Sequence, residues 1–125
     1  MIKTRGLHHI HLVVRDLPRA LRFYQSVFGM EEQFRAGPYM VFLSTPGSDD
    51  LITLNQDAAE QDQAGQRGGI AHFGFKLSQG SDLDTAVREV ERGGGRVIRR
   101  GEHAPGVPFV YVADPDGYVI ELGNP

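Results

Sequence analysis

Hydrophobic positions along this chain switch between two periods, and the switch happens twice. Across residues 6–14, Ile10, Leu12 and Val14 recur at every second position, the period of a strand with one buried face. From Leu17 the spacing lengthens. Leu17, Ala20, Leu21, Tyr24, Val27 and Phe28 follow the i, i+3, i+4, i+7 pattern of one helical face. Asp16 is placed to cap that helix, and Gly29 to stop it. Strands are expected at residues 30–35, 39–45 and 51–55, with Gly37-Pro38 and Pro46-Gly47 as turns. Residues 56–69 are polar and read as a linker, because so sparsely apolar a run has little with which to build a core.

The pattern then starts again. Residues 69–77 read as a strand. Ser81 with Asp84 makes a capping box, and Leu83, Ala86, Val87 and Val90 mark one face of a second helix ended by Gly93-Gly94-Gly95. Strands follow at 96–100, 109–113 and 118–122, the last entered through the turn Asp114-Pro115-Asp116-Gly117. Each half is therefore a βαβββ module, at residues 6–56 and 69–124, joined by a linker at 57–68. The class is α+β, and a repeat of this extent outweighs any single motif.

The alternation also sorts polar side chains. His9 and His11 share a face, opposite the Ile10 and Leu12 face on which a helix packs. In the second half Ala71, Phe73 and Phe75 take the helix side, which sends His72, Gly74 and Lys76 to the other. Gly74 leaves room beside His72. Glu121 lies between Ile120 and Leu122, where a carboxylate is costly unless paired or bound to metal. His9, His72 and Glu121 thus occupy matching points of the two half-chains. Two imidazoles and one carboxylate hold a divalent metal and leave positions open. Any one of them alone is equally an ordinary hydrogen-bonded core or surface group.

Composition narrows the partners. The 125 residues make one domain with room for a core, and 40% are hydrophobic. The net charge is −3, and the arginines are mixed with acids, which argues against nucleic acid. No apolar run is long enough to span a membrane, and the N-terminus has no hydrophobic signal core, so a cytoplasmic location is the default expectation. There is no Cys, which excludes disulfides, thiolate metal sites and a Cys nucleophile.

The double βαβββ order, the phrase DLPRALRFYQSVFGM and the ending YVADPDGYVIELGNP resemble the vicinal oxygen chelate superfamily. That group includes glyoxalase I, extradiol dioxygenases, fosfomycin-resistance thiol transferases, methylmalonyl-CoA epimerase and bleomycin-binding proteins. The resemblance implies two modules curled into a half-open barrel around a metal. His9, His72 and Glu121 match the family's first-, fifth- and eighth-strand ligands. It implies one divalent ion per site, with Fe(II) favoured and Mn(II), Zn(II) or Ni(II) open. Thr53 faces Glu121 through the repeat, LITLN against VIELG, and stands where glyoxalase I typically supplies a fourth ligand, Glu. Thr is a poor ligand beside imidazoles, so three protein ligands are expected. That points to the ring-cleaving dioxygenases and the fosfomycin-type transferases.

Further roles follow from the same comparison. His11, on the face of His9, is expected to act as acid or base. Tyr111 resembles a tyrosine that both three-ligand branches carry at its spacing from Glu121, and is expected to handle a substrate hydroxyl. Thr53, Phe42, Phe109 and His103 are expected to line the substrate site, with His103 in a loop. Core packing accounts equally well for the two phenylalanines. Arg35, Arg99 and Arg100 read as a solvated edge. Each branch leaves a gap. The further acid–base His that extradiol enzymes carry before the fifth strand has no counterpart in QDAAEQDQAGQRGG, and the longer Lys- and Ser-bearing loop of fosfomycin enzymes is not evident between Arg100 and Tyr111.

The expected function is a metal-dependent enzyme acting on a small molecule with adjacent oxygens, with an extradiol-type reaction slightly favoured. A glyoxalase-type lyase or isomerase and a fosfomycin-type transferase stand beside it. A non-catalytic antibiotic-binding protein is the reading from another class. The linker allows the modules to pair within a chain or to exchange between chains. A homodimer is expected, each site drawing His9 from one chain and His72 with Glu121 from the other.

Overall fold

The computed structural model describes residues 1–123, so the expected end of the second module at residue 124 lies outside the described residues. The first module runs β1 (Ile10–Val13), α1 (Leu17–Phe28), β2 (Glu31–Arg35), β3 (Met40–Ser44) and β4 (Ile52–Asn55). The second runs β5 (Phe73–Lys76), α2 (Leu83–Arg92), β6 (Arg96–Ala104), β7 (Val107–Ala113) and β8 (Val119–Gly123). Each module is an open four-stranded sheet, ordered β1-β4-β3-β2 and β5-β8-β7-β6. In both, the first strand pairs parallel with the last, and the other pairings are antiparallel.

Local chemistry explains the helices. Asp16 is extended, and its carboxylate accepts from the Arg19 amide at 3.0 Å. Gly29 ends α1 in the left-handed region, φ 64°, which glycine enters without steric cost. The second helix is capped one residue later than the expected Ser81 box. Asp82 is the extended residue, and it accepts from both the amide and the hydroxyl of Thr85.

Three other expectations need correction. The first strand of each module is shorter than its apolar alternation. Ladder pairing begins at Ile10 against Ile52 and at Phe73 against Ile120, so His9 and His72 stand one residue ahead of their strands. The strand β6 runs on to Ala104, which takes His103 out of a loop and into a strand. The linker is also more ordered than its composition indicates. It holds a short 3-10 turn at Gln61–Gln63, buries Ala64, and brings Gly65 against the Asp116 carbonyl, where any Cβ would collide.

One core serves both modules. Leu12, Val14, Val41, Leu43, Ile52 and Leu54 from the first sheet join Val110, Val112, Ile120 and Leu122 from the second, with Phe23 and Tyr24 of α1 fully buried among them. Phe23 falls outside the helical face read from the sequence, because α1 packs on the second module as well as on its own sheet. Glycine permits that approach. A Cβ at Gly95 would stand 2.5 Å from the Ala113 carbonyl oxygen and 2.9 Å from the Phe23 ring. Phe28 stacks on Phe75 across the same seam, with centroids 4.1 Å apart.

A polar network is buried in the seam. The Tyr24 hydroxyl donates to Asp114 Oδ2 at 2.7 Å, and Asp114 Oδ1 accepts from the amides of Asp116 and Tyr118. Asp116 Oδ1 accepts from the Arg15 amide and from Arg19 Nη2, each at 3.0 Å, and the Tyr118 hydroxyl donates to the Val13 carbonyl. Burial pushes the Tyr24 phenol well above its usual value, and the neighbouring Asp114 carboxylate pushes the same way. Burial also raises Asp114, partly offset by the Tyr24 hydrogen bond.

Tyr24→Phe is expected to destabilise the protein by about 1–3 kcal/mol near neutral pH, because a buried carboxylate oxygen loses its donor. The pH dependence has a definite sign. Above about pH 10 the unfolded chain releases the Tyr24 proton and the folded chain keeps it, so stability falls as pH rises. Denaturant titrations at several alkaline pH values should show a shallower fall in Tyr24→Phe than in the wild type. Equal slopes would mean that Tyr24 does not titrate as this network requires.

Candidate metal centre

The helices cover one face of each sheet and leave the other polar. Register defines what the open faces carry. In the second sheet Gly74, Glu121, Tyr111 and Arg99 form one row across four strands, and Lys76, Gly123, Phe109 and Gly101 form the next. In the first sheet His11, Thr53 and Phe42 lie side by side. Parallel pairing of β5 with β8 brings the residue ahead of β5 to the carboxylate. His72 Nε2 lies 3.4 Å from Glu121 Oε1. Gly74 is what lets the strands close there, since a Cβ at that position would meet the Glu121 carbonyl oxygen at 3.0 Å. On the far side of the carboxylate, His103 Nε2 lies 3.2 Å from Oε2.

Aromatic rings wall this group. The Tyr111 ring lies 4.9 Å from the ring of His72 and 4.9 Å from that of Phe109, and His103 stacks on Phe109 at 4.3 Å. Arg99 is exposed on the edge strand β6, as expected, and also packs on aromatic faces. Its guanidinium carbon sits 5.2 Å from the Tyr111 centroid and 5.8 Å from that of Phe109, within cation–π range. No described carboxylate pairs with it, whereas Arg100 is tied to Asp84 and Arg35 to Glu32.

The remaining site residues lie on the first module. His9 is exposed, with its Nδ1 2.8 Å from Nδ1 of the neighbouring His8. His8, His9, Phe73 and Gly74 line one small cavity. His11 and His72 line another of about 270 Å³. Thr53 is 1% exposed, and its hydroxyl has no hydrogen-bond partner among the described residues. Phe42 stacks on the exposed Phe34 at 4.2 Å, so it forms part of an open aromatic surface as well as the sheet. Among the described residues, no three His, Asp or Glu side chains of one chain stand close enough to hold a metal ion. His72 and Glu121 are brought together, and His9 stays apart from them.

The donor chemistry fits a divalent cation. Imidazole and carboxylate are borderline and hard donors suited to such ions, and the open polar face leaves coordination positions for water or substrate. Thr53 presents a hydroxyl without a partner on the other module rather than a fourth charged ligand.

Comparison with known proteins places this arrangement. Residues 6–122 match the family described as the Glyoxalase/Bleomycin resistance protein/Dioxygenase superfamily, and the chain belongs to it. A glutathione transferase FosA of Serratia marcescens is 25% identical over 94% of this chain and 79% of its own length. A lactoylglutathione lyase of Neisseria meningitidis serogroup A is 32% identical over 93% of this chain and 88% of its own. In fold, the chain is similar to a variant of the fosfomycin resistance protein FosX of Listeria monocytogenes, solved with Mn(II) and 1S,2S-dihydroxypropylphosphonic acid. That match has a TM-score of 0.78 at 23% identity and covers 97% of this chain and 90% of that one. No helix among the described residues is long and apolar enough to cross a membrane.

Glu121→Ala is expected to abolish tight binding of a divalent ion, with the fold retained because Glu121 contributes nothing to the shared core. Metal analysis of dialysed protein alongside circular dichroism checks this. Equal metal content in the variant and the wild type would remove Glu121 from the ligand set.

Proposed function

We propose that this protein is a metal-dependent enzyme acting on a small molecule with two adjacent oxygens, as a lyase, isomerase or transferase. The reading rests above all on His72 and Glu121 meeting at 3.4 Å beside the Tyr111 ring, on a sheet face that the helices leave open. His9, His72 and Glu121 would hold the ion. When bound, a divalent cation there supplies Lewis-acid polarisation of the paired substrate oxygens. Tyr111 donates its hydroxyl to a substrate oxygen, and His11 moves a proton to or from the substrate. Phe109 and Phe42 wall the apolar part of the substrate, and Thr53 offers its unpartnered hydroxyl. Arg99, lacking a carboxylate partner, favours a substrate with an anionic end.

The slight preference for ring cleavage drawn from the sequence gains no support from the relatives named above, a glutathione transferase, a lactoylglutathione lyase and a fosfomycin resistance protein. The expectation of iron rested on dioxygen chemistry and has no independent support. Between Arg100 and Tyr111 the strands β6 and β7 turn tightly, pairing Ala104 with Val107, which leaves no room for a long phosphonate-binding loop. An antibiotic-binding protein without chemistry remains the reading from another class. The retained imidazole and carboxylate set counts against it, and turnover with bound metal discriminates the two.

Because His9 stands apart from His72 and Glu121 within one chain, the working unit is a homodimer in which a second copy supplies His9. Two variants, His9→Ala and Glu121→Ala, each lack a functional site. After mixing, unfolding and refolding, a mixed dimer carries one site with both lesions and one with neither. Metal binding and activity are expected to return in part. A mixture that stays inactive although mixed dimers form would assign each site to a single chain.

A further inference from the structure

The structure assigns His103 a positioning role. It holds Glu121 Oε2, so that Oε1, the oxygen on the His72 side, is the one presented to a metal. This rests on the metal-centre reading above and goes beyond it, since His103 entered only as a substrate-site residue.

The argument starts from what a carboxylate can do. An ionised Glu accepts hydrogen bonds and donates none, so the 3.2 Å contact requires the proton on His103 Nε2. An imidazole with its Nε2–H committed to a carboxylate is not offering that nitrogen to a metal. The two oxygens of Glu121 are thereby made unequal, one taken by His103 and one 3.4 Å from His72. Binding through a single oxygen keeps more coordination positions free than bidentate binding would. With Thr53 in place of a fourth charged ligand, that leaves room for both substrate oxygens.

The direction of His103 is built in. From Glu102↔Pro108 to Ala104↔Val107 the register advances two residues on β6 and one on β7, so His103 is the extra residue of a bulge. Two residues beyond Gly101 and four beyond Arg99 on the same strand, His103 shares their face, the one that carries Glu121, and the bulge frees it from a cross-strand partner. The imidazole is then fixed flat on Phe109, with centroids 4.3 Å apart and planes at 23°. Phe109 lies over Gly101, where a Cβ would stand 2.7 Å from the ring's Cζ. The line from the hairpin to the carboxylate is thus Gly101, Phe109, His103, Glu121. Partners that orient a metal ligand commonly change affinity by about 10–100-fold when removed.

The test uses Co(II) as the probe, titrated into the refolded apo dimer with a competing chelator and followed by visible absorption. His103→Ala is expected to weaken Co(II) binding about 10–100-fold with the band positions unchanged, because no ligand is lost. His103→Gln, whose amide can donate from nearly the same place, should recover most of that loss. Gly101→Ala touches no ligand and should weaken binding in the same direction by tilting Phe109. Wild-type affinity in His103→Ala would overturn the assignment. So would a changed band pattern in that variant, which would make His103 a ligand itself. Failure of the wild type to bind Co(II) at all is a different result. It would bring down the metal centre of the proposed function, and the His103 assignment with it.

Discussion

Tyr24 and Asp114 meet in the seam between the two modules, and the arrangement of the molecule depends on that seam. A buried carboxylate is tolerable only when its lone pairs are occupied. Here the phenol of α1 takes one oxygen and two amides of the turn before β8 take the other. The hydrogen bonds join a helix of one module to a turn of the other. They also fix the entry of β8 and hence the face on which Glu121 emerges. Phe23 against Gly95 and Phe28 against Phe75 fill the space around them. The hydrophobic faces of both sheets are consumed in one core.

Once the apolar faces are spent on each other, the polar faces are what remains for function. Register does the rest. Parallel pairing of β5 with β8 sets His72 beside Glu121, and antiparallel pairing of β7 and β6 lays Tyr111 and Arg99 in the same row. The same seam keeps His9 on the other module, apart from His72 and Glu121. On the proposed function, the first sheet contributes His9, His11, Thr53 and Phe42 to a site, and the second contributes His72, Glu121, Tyr111 and His103.

The site's chemistry is shaped as much by what is small as by what is charged. Gly74 lets β5 and β8 close on each other, and Gly101 lets a phenylalanine lie flat beneath an imidazole. Family membership alone leaves the reaction open, since one fold hosts many chemistries. The surroundings of the carboxylate are set by particular side chains. A tight β6–β7 hairpin closes one end, a cation rests on aromatic faces, and Thr53 lies buried on the first sheet.

The repeat of strand, helix and three strands was legible in the chain because burial on one face imposes a period, and periods survive in sequence. The equivalent placing of His9 and His72 was legible for the same reason. Strand ends were not. Ladder pairing depends on where a partner strand begins, so His9 and His72 fell just outside elements whose alternation seemed to include them. The second helix cap moved by one residue because neighbouring Ser81 and Asp82 offer the same chemistry and backbone geometry chooses between them. Phe23 joined the core, Arg99 came to rest on Tyr111, and His103 was turned onto Glu121 only through contacts between distant segments. A ring stacked over a glycine leaves no periodic trace, so tertiary packing decided that Arg99 and His103 join the side chains around the carboxylate.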